Sequence, residues 1–178
     1  RAYGLDVGWN RTAAIWGATD PETQVTYLYS EYYRGQVEPA VHAEAIRSRG
    51  VWIAGVIDPA ARGRAQADGK QLMQQYIDLG LDLQPAMNAR EAGIHSVWER
   101  LSSGRLRVFK SLRNWEFELR LYRRDEQGKI VKENDHLMDA TRYLVMSGLP
   151  IAITQPVRRV EEAPSFGYSG PEQTGWMH

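Results

Sequence analysis

The sequence contains no cysteine among its 178 residues. That excludes disulfides, thiolate metal sites and a cysteine nucleophile, and it fits a reducing compartment. It has no surplus of either charge, 22 basic residues standing against 22 acidic. A free-standing nucleic-acid-binding domain usually carries a basic surplus, so any hold on nucleic acid must come from local clusters or from partners. No apolar run approaches the roughly twenty residues of a membrane-spanning helix, and there is no charged-then-apolar leader. There is no Gly-x-Ser-x-Gly elbow and no internal repeat. Of the four histidines (His42, His95, His136 and His178), His136 is singled out by Asp139 at ligand spacing. The chain starts at Arg1 without an initiator methionine and enters a strand at once, as expected of a piece cut from a longer polypeptide.

Apolar content of 43% and charged content of 25% are those of a globular domain, and the length allows one sizeable core with an appendage. Residues 2–8 read as a short buried strand with Asp6 planted in it. A carboxylate inside a core strand is costly unless it is paired or bound to a cation. Gly4 and Gly8 share its face and leave room for something to approach. Residues 12–18 and 25–33 make two more strands, with a turn at Asp20-Pro21, so the first three form an antiparallel meander.

Pro39 opens a helix to about Ser48, on which His42 is expected to be partly exposed. Residues 51–57 form a continuous apolar run of the kind buried on both faces of a sheet, ending in Asp58-Pro59. An acid at the carboxyl end of a central strand is where open α/β sheets place ligands. A basic loop with Arg62 and Arg64 follows. Its segment at 63–70 has the wrong glycine spacing for a phosphate loop and Gln71 where a hydroxyl is needed. Helices are expected at 70–79, at 89–102 with Ile94, Val97, Trp98 and Leu101 inward, and at 112–118. Short strands fall at 81–85 and 106–110, and a hairpin over 119–133 turns at Asp125 to Gly128.

Residues 133–148 make an amphipathic helix with Asn134 as N-cap and Gly148-Leu149-Pro150 as its stop. Asp135 and Asp139 are four residues apart, and His136 and Asp139 three, so all three share one flank of the helix. Acids suit a helix start, which is explanation enough for Asp135. Asp139, beside the apolar stripe, is less well explained that way. From Pro150 on, the prolines and a Gly/Ser/Glu background describe a tail without its own core. The expected organisation is therefore a domain over 1–149 and a flexible tail over 150–178.

The order strand-strand-strand-helix-strand, later a helix carrying an acid, is the ribonuclease H-like plan. The expected fold is α/β, a mixed central sheet of a three-strand meander plus parallel strands, flanked by helices. In that plan the first and fourth strands are central neighbours, so Asp6 and Asp58 meet there and Asp139 approaches from above. Three carboxylates at one place raise one another's pKa. Two Mg²⁺ or Mn²⁺ ions about 4 Å apart would relieve this and clamp the oxygens of a phosphodiester.

Gly4-Leu-Asp-Val-Gly8, Ile57-Asp-Pro-Ala-Ala61 and, above all, the stretch from Tyr122-Arg-Arg-Asp through Asn134-Asp-His-Leu-Met-Asp-Ala-Thr-Arg-Tyr143 resemble the C-terminal nuclease domain of the large terminase subunit of tailed bacteriophages. The resemblance covers about residues 1–148. It implies a metal-dependent endonuclease that cuts concatemeric double-stranded viral DNA during genome packaging, in the cytoplasm of the infected bacterial cell. It implies Asp6, Asp58 and Asp139 as ligands of the two metal ions. His136 matches a position that approaches a metal in some members, and Asp135 beside it is a candidate outer ligand. Arg62, Arg64, Lys110 and Arg113 are the candidate DNA contacts. Implied partners are an N-terminal ATPase motor of the same polypeptide, the portal and the small terminase subunit. The rivals are another ribonuclease H-like nuclease, such as a junction resolvase or transposase core, and a non-catalytic docking module of the packaging motor.

Overall fold

A computed structural model describes residues 1–62 and 72–155. Its centre is one six-stranded mixed sheet. Strands β1 (Ala2–Asp6), β2 (Thr12–Thr19) and β3 (Thr26–Arg34) form the antiparallel meander. Helix α1 (Pro39–Arg47) crosses to β4 (Gly55–Ile57), which lies parallel beside β1 with Leu5 opposite Ile57. Helix α2 (Leu72–Asp78) leads to β5 (Leu83–Pro85), and α3 (Arg90–Ser102) to β6 (Leu106–Val108). The order across the sheet is β5-β4-β1-β2-β3-β6, with β5 parallel to β4 and β6 parallel to β3. Helices α4 (Arg113–Leu121) and α5 (His136–Tyr143) complete the fold. This is the ribonuclease H-like arrangement expected from the order of elements.

Alternation along the strands divides the core in two. Ala2 of β1 and Ala13 and Ile15 of β2 pack against Trp115, Leu137, Ala140 and Leu144. Tyr3 and Leu5, with Ala14 and Trp16, face the other way onto Ala43, Ile46 and Tyr76. The α5 layer lies unusually close to β1. A Cβ at Gly4 would collide with the Ala140 carbonyl oxygen and stand 2.9 Å from the Leu144 amide nitrogen. Only glycine admits the helix backbone there.

Neither α4 nor α5 has a side-chain cap at its own N-cap residue. Distant glutamates supply the acceptors that the orphan N–H groups require. Glu31 of β3 accepts the backbone N–H groups of Asn114 (3.0 Å) and Trp115 (2.9 Å). Glu118 of α4, fully buried, accepts the Leu137 N–H at 2.6 Å and the Tyr33 hydroxyl at 2.7 Å. Sheet, α4 and α5 are thereby tied in sequence, and α5 is fixed at the end that carries the acids.

Several local expectations are corrected. The apolar run at 51–57 is strand only from Gly55; Val51 lies exposed in the turn after α1. The hairpin over 119–133 is mostly absent: α4 runs to Leu121, and a single bridge between Arg124 and Ile130 closes the turn. Asn134 does not cap α5 and instead has positive φ (53°), with Asp135 at the N-cap position. Trp98 is 63% exposed, not inward, and His42 is buried, bonded to the Tyr32 hydroxyl at 2.8 Å. The last helix does not stop at Gly148. It widens into a π-helical turn over Leu144–Gly148 and tightens into a 3-10 turn over Leu149–Ile151.

Beyond Pro150 the chain stays on the domain for a few residues. Ala152 packs on the core, and Ile153 and Arg1 exchange backbone bonds. The rest of the expected tail, 156–178, lies outside the described residues, as do Arg64 and the start of the helix expected at 70–79.

Gly4→Ala should lower the melting temperature by about 6–12 °C, corresponding to roughly 3 kcal/mol in a chain of this size. At Gly17 the nearest atom to an added Cβ is the side-chain Cδ2 of Leu144, which can move, so Gly17→Ala should cost clearly less. Calorimetric melts of both variants check this, and equal losses would contradict the close approach of α5.

Candidate functional site

The parallel register of β1 and β4 decides which side chains can meet. Leu5 and Ile57 are opposite each other, so Asp6 and Asp58, one residue further on, leave the sheet together at its carboxyl edge. The Asp58 N–H is still held by the Leu5 carbonyl at 3.0 Å. The Gly4–Ala140 contact then sets α5 over that edge. Asp6, Asp58, Asp135, His136, Asp139 and Tyr143 all line one open cleft of about 500 Å³.

Each of the three acids has a partner of its own. His136 Nδ1 lies 2.9 Å from Asp6 Oδ2. The Tyr143 hydroxyl donates to Asp58 Oδ1 at 3.2 Å. Asp139 accepts from two arginines, Arg142 Nε and Nη2 on Oδ1 (3.2 and 3.1 Å) and Arg90 Nη2 on Oδ2 (3.4 Å). Arg142 is only 1% exposed, and its stem passes where a Cβ at Gly93 would be, so glycine makes its channel. Among the described residues no three His, Asp or Glu side chains are drawn in around a single point.

The electrostatics nevertheless favour a cation. Burial pushes the Asp6 carboxyl up to about 6, and the charges of Asp139 and Asp58 push in the same direction; the His136 bond opposes them. Burial and the Asp139 charge also raise Asp135. His136 is raised by its bond to Asp6. Carboxylate oxygens are what Mg²⁺ and Mn²⁺ prefer, and a cleft lined by Asp6, Asp58, Asp135 and Asp139 offers them.

The sequence-predicted cations fare differently from the acids. Arg64 and the side chain of Arg62 lie outside the described residues. Lys110 and Arg113 follow β6, which runs parallel to β3 and so leaves the sheet on the same side as β1. Neither lines the cleft, and the exposed Arg113 is 3.5 Å from Glu116. Among the described residues, the cations that line it are Arg11, Arg90 and Lys132, with Asn88 and the exposed Trp9. None of these was singled out for this role from the sequence. Arg142 had one visible signal, its i,i+3 spacing from Asp139. Arg90 had none, being 49 residues from its partner.

Residues 3–147 match the family model described as the terminase RNaseH-like domain. The chain belongs to this family. The large terminase subunit of Salmonella phage P22 is 32% identical over 168 residues, an alignment covering 88% of this chain and 33% of that protein. The chain spans about a third of the length of the curated relatives it matches. The structure of the P22 large terminase nuclease domain is 31% identical, with a TM-score of 0.74 over 82% of this chain and 79% of that one. The large terminase nuclease domain of bacteriophage SPP1, a structure with bound Mn, shares the fold: TM-score 0.60, 17% identity, 80% of this chain and 82% of that one. In this terminase domain, two of the three acids stand on neighbouring central strands and the third on the covering helix.

The acids should differ in metal-free stability. Asp139→Asn leaves the buried Arg142 charge without its counterion and should cost about 3–5 kcal/mol. Asp6→Asn removes a charge that burial disfavours and should raise the melting temperature at pH 7. With its folded-state pKa above the unfolded value, Asp6 binds more protons folded than unfolded between pH 4 and 6, so stability falls as pH rises through that window. The advantage of Asp6→Asn should therefore be absent below pH 4 and complete above pH 6. Melts in EDTA across that range check both signs, and a parallel loss in the two variants would contradict them.

Proposed function

We propose that this chain is a divalent-metal-dependent endonuclease that hydrolyses double-stranded viral DNA during genome packaging. The observation that carries this reading is the convergence of Asp6, Asp58 and Asp139 from β1, β4 and α5 on one cleft that also holds Arg11, Arg90 and Lys132. The bound Mn of the SPP1 nuclease domain and the P22 likeness support it.

Asp6, Asp58 and Asp139 would hold the metal, Mg²⁺ or Mn²⁺, with His136 and Asp135 beside them. When bound, such ions polarise the phosphodiester and lower the pKa of an attacking water. Asp6 feels both other acids electrostatically and is therefore the group best suited to serve a pair of ions. His136 orients the Asp6 carboxylate through Nδ1, and the Tyr143 hydroxyl orients that of Asp58. Arg11 and Lys132 on the wall would hold flanking phosphates, which position DNA without reading its sequence. Trp9, 65% exposed on the same wall, offers a stacking face to a displaced base. With no net charge over the whole chain, these few cations give local affinity only. The remainder of the hold on DNA is assigned to an ATPase motor in the same polypeptide, to the portal and to the small terminase subunit, in the host cytoplasm. The proposed domain is residues 1–149 with the first few residues after it.

The chain should nick and then linearise supercoiled plasmid in Mn²⁺ or Mg²⁺ and not in EDTA. Asp58→Asn should reduce the rate at least about 100-fold, as expected when a charge at the reacting centre is lost. Mn²⁺ should raise the melting temperature of the wild type by mass action and that of Asp58→Asn far less. Metal-dependent stabilisation without cleavage on any duplex would favour a docking module, and cleavage of branched junctions alone would favour a resolvase.

A further inference from the structure

The two arginines on Asp139 are not equivalent. Arg142 is locked in place: its side chain is almost wholly enclosed, it reaches Oδ1 through two nitrogens, and its guanidinium lies 4.4 Å over the Tyr143 ring. It has nowhere to go. Arg90 starts α3, its side chain one-third exposed, and touches Oδ2 with one nitrogen at 3.4 Å. Charge-assisted pairs close to about 2.7–2.9 Å when they are well made. This one is loose.

Oδ2 is thus the Asp139 oxygen free of Arg142, and a metal ion bound by Asp139 needs it. A divalent cation and a guanidinium cannot share that oxygen without strong repulsion, so the entry of one expels the other. An expelled Arg90 remains anchored through α3 at the cleft, which Asn88 also lines. Arg90 shares that cleft with Asp135 and Asp139. Once the ions have neutralised the acids, the strongest anion left within its reach is a phosphate of the substrate. The planar fork of arginine suits phosphate oxygens, which it can bind through two nitrogens.

Resting on the metal-site reading above, we propose that Arg90 is a phosphate-binding residue of this site, stored on Asp139 Oδ2 until a divalent cation displaces it. In the metal-free protein it screens the acids; with metal present it grips the DNA strand. The protein then binds duplex well only when metal is present.

Opposite effects on two ligands test this. Mn²⁺ binding is measured by calorimetry without DNA, and binding of one labelled duplex in Ca²⁺ by fluorescence anisotropy at several salt concentrations. Arg90→Ala should tighten Mn²⁺ about three- to tenfold, since a competing ion pair of modest strength is gone. It should weaken duplex binding and reduce the salt slope by about one. Arg90→Lys should recover most of the salt slope but not the full affinity, because an ammonium cannot bind two phosphate oxygens in a plane. Unchanged or weaker Mn²⁺ binding by Arg90→Ala, beside normal wild-type binding, overturns this proposal alone, and so does unchanged duplex affinity. Absence of Mn²⁺ binding by the wild type overturns the metal-site reading and this proposal with it.

Discussion

The backbone contact between α5 and β1 at Gly4 is the constraint on which the rest of the structure depends. A helix lying on a sheet normally stands off by the thickness of its side chains. Here Ala140 and Gly4 remove that spacing, and the Ala140 carbonyl sits where any other residue's Cβ would be. The first turn of α5 is consequently lowered onto the carboxyl ends of β1 and β4, and His136 and Asp139 come down on Asp6 and Asp58. The buried Glu118 fixes the same helix at its start, receiving the Leu137 N–H while bonded to Tyr33. One contact sets the depth of the helix and the other its position along the sheet.

Each of the three acids that line the cleft finds compensation, and the structure shows three kinds. Asp6 has an imidazole, Asp58 a phenol and Asp139 two guanidiniums. With the exception of Arg142, these partners sit at the cleft and are the kind a cation can replace or rearrange. Arg142 is different because a buried guanidinium is costly to strand. Its two bonds to Asp139 are enclosed by the fold. The site thus combines one enclosed ion pair with partners that line the open cleft.

Much of this was legible in the sequence because strands and acids carry local signals. An acid within an apolar strand, another just past the end of an apolar run, and a third beside the stripe of an amphipathic helix are each visible in a short window. The order of elements then brings them together. What escaped was what depends on distant partners. Asn134 looked like the cap of α5, but the cap comes from Glu118, and α4 is likewise capped by Glu31, 83 residues from Asn114. Trp98 looked inward from helical spacing, yet α3 turns it to solvent. His42 looked partly exposed, but the Tyr32 hydroxyl of β3 gives its buried ring a partner. The cations expected to meet DNA, Arg62, Arg64, Lys110 and Arg113, are scattered in the sequence, and Arg11, Arg90 and Lys132 are gathered only by the fold. Charged side chains are long and common, and nothing in their immediate sequence tells which way the backbone will aim them.

The central claim is that Asp6, Asp58 and Asp139 form one divalent-cation site beneath α5. Anomalous diffraction from crystals soaked in Mn²⁺ tests it most directly, because the scattering locates the ion independently of any assumed ligand. The predicted result is anomalous density in contact with carboxylate oxygens of all three residues, with Arg90 withdrawn from Asp139 and Arg142 still bound to it. Density confined to other parts of the surface, with the three acids keeping their His136, Tyr143 and Arg90 partners at saturating Mn²⁺, would contradict it.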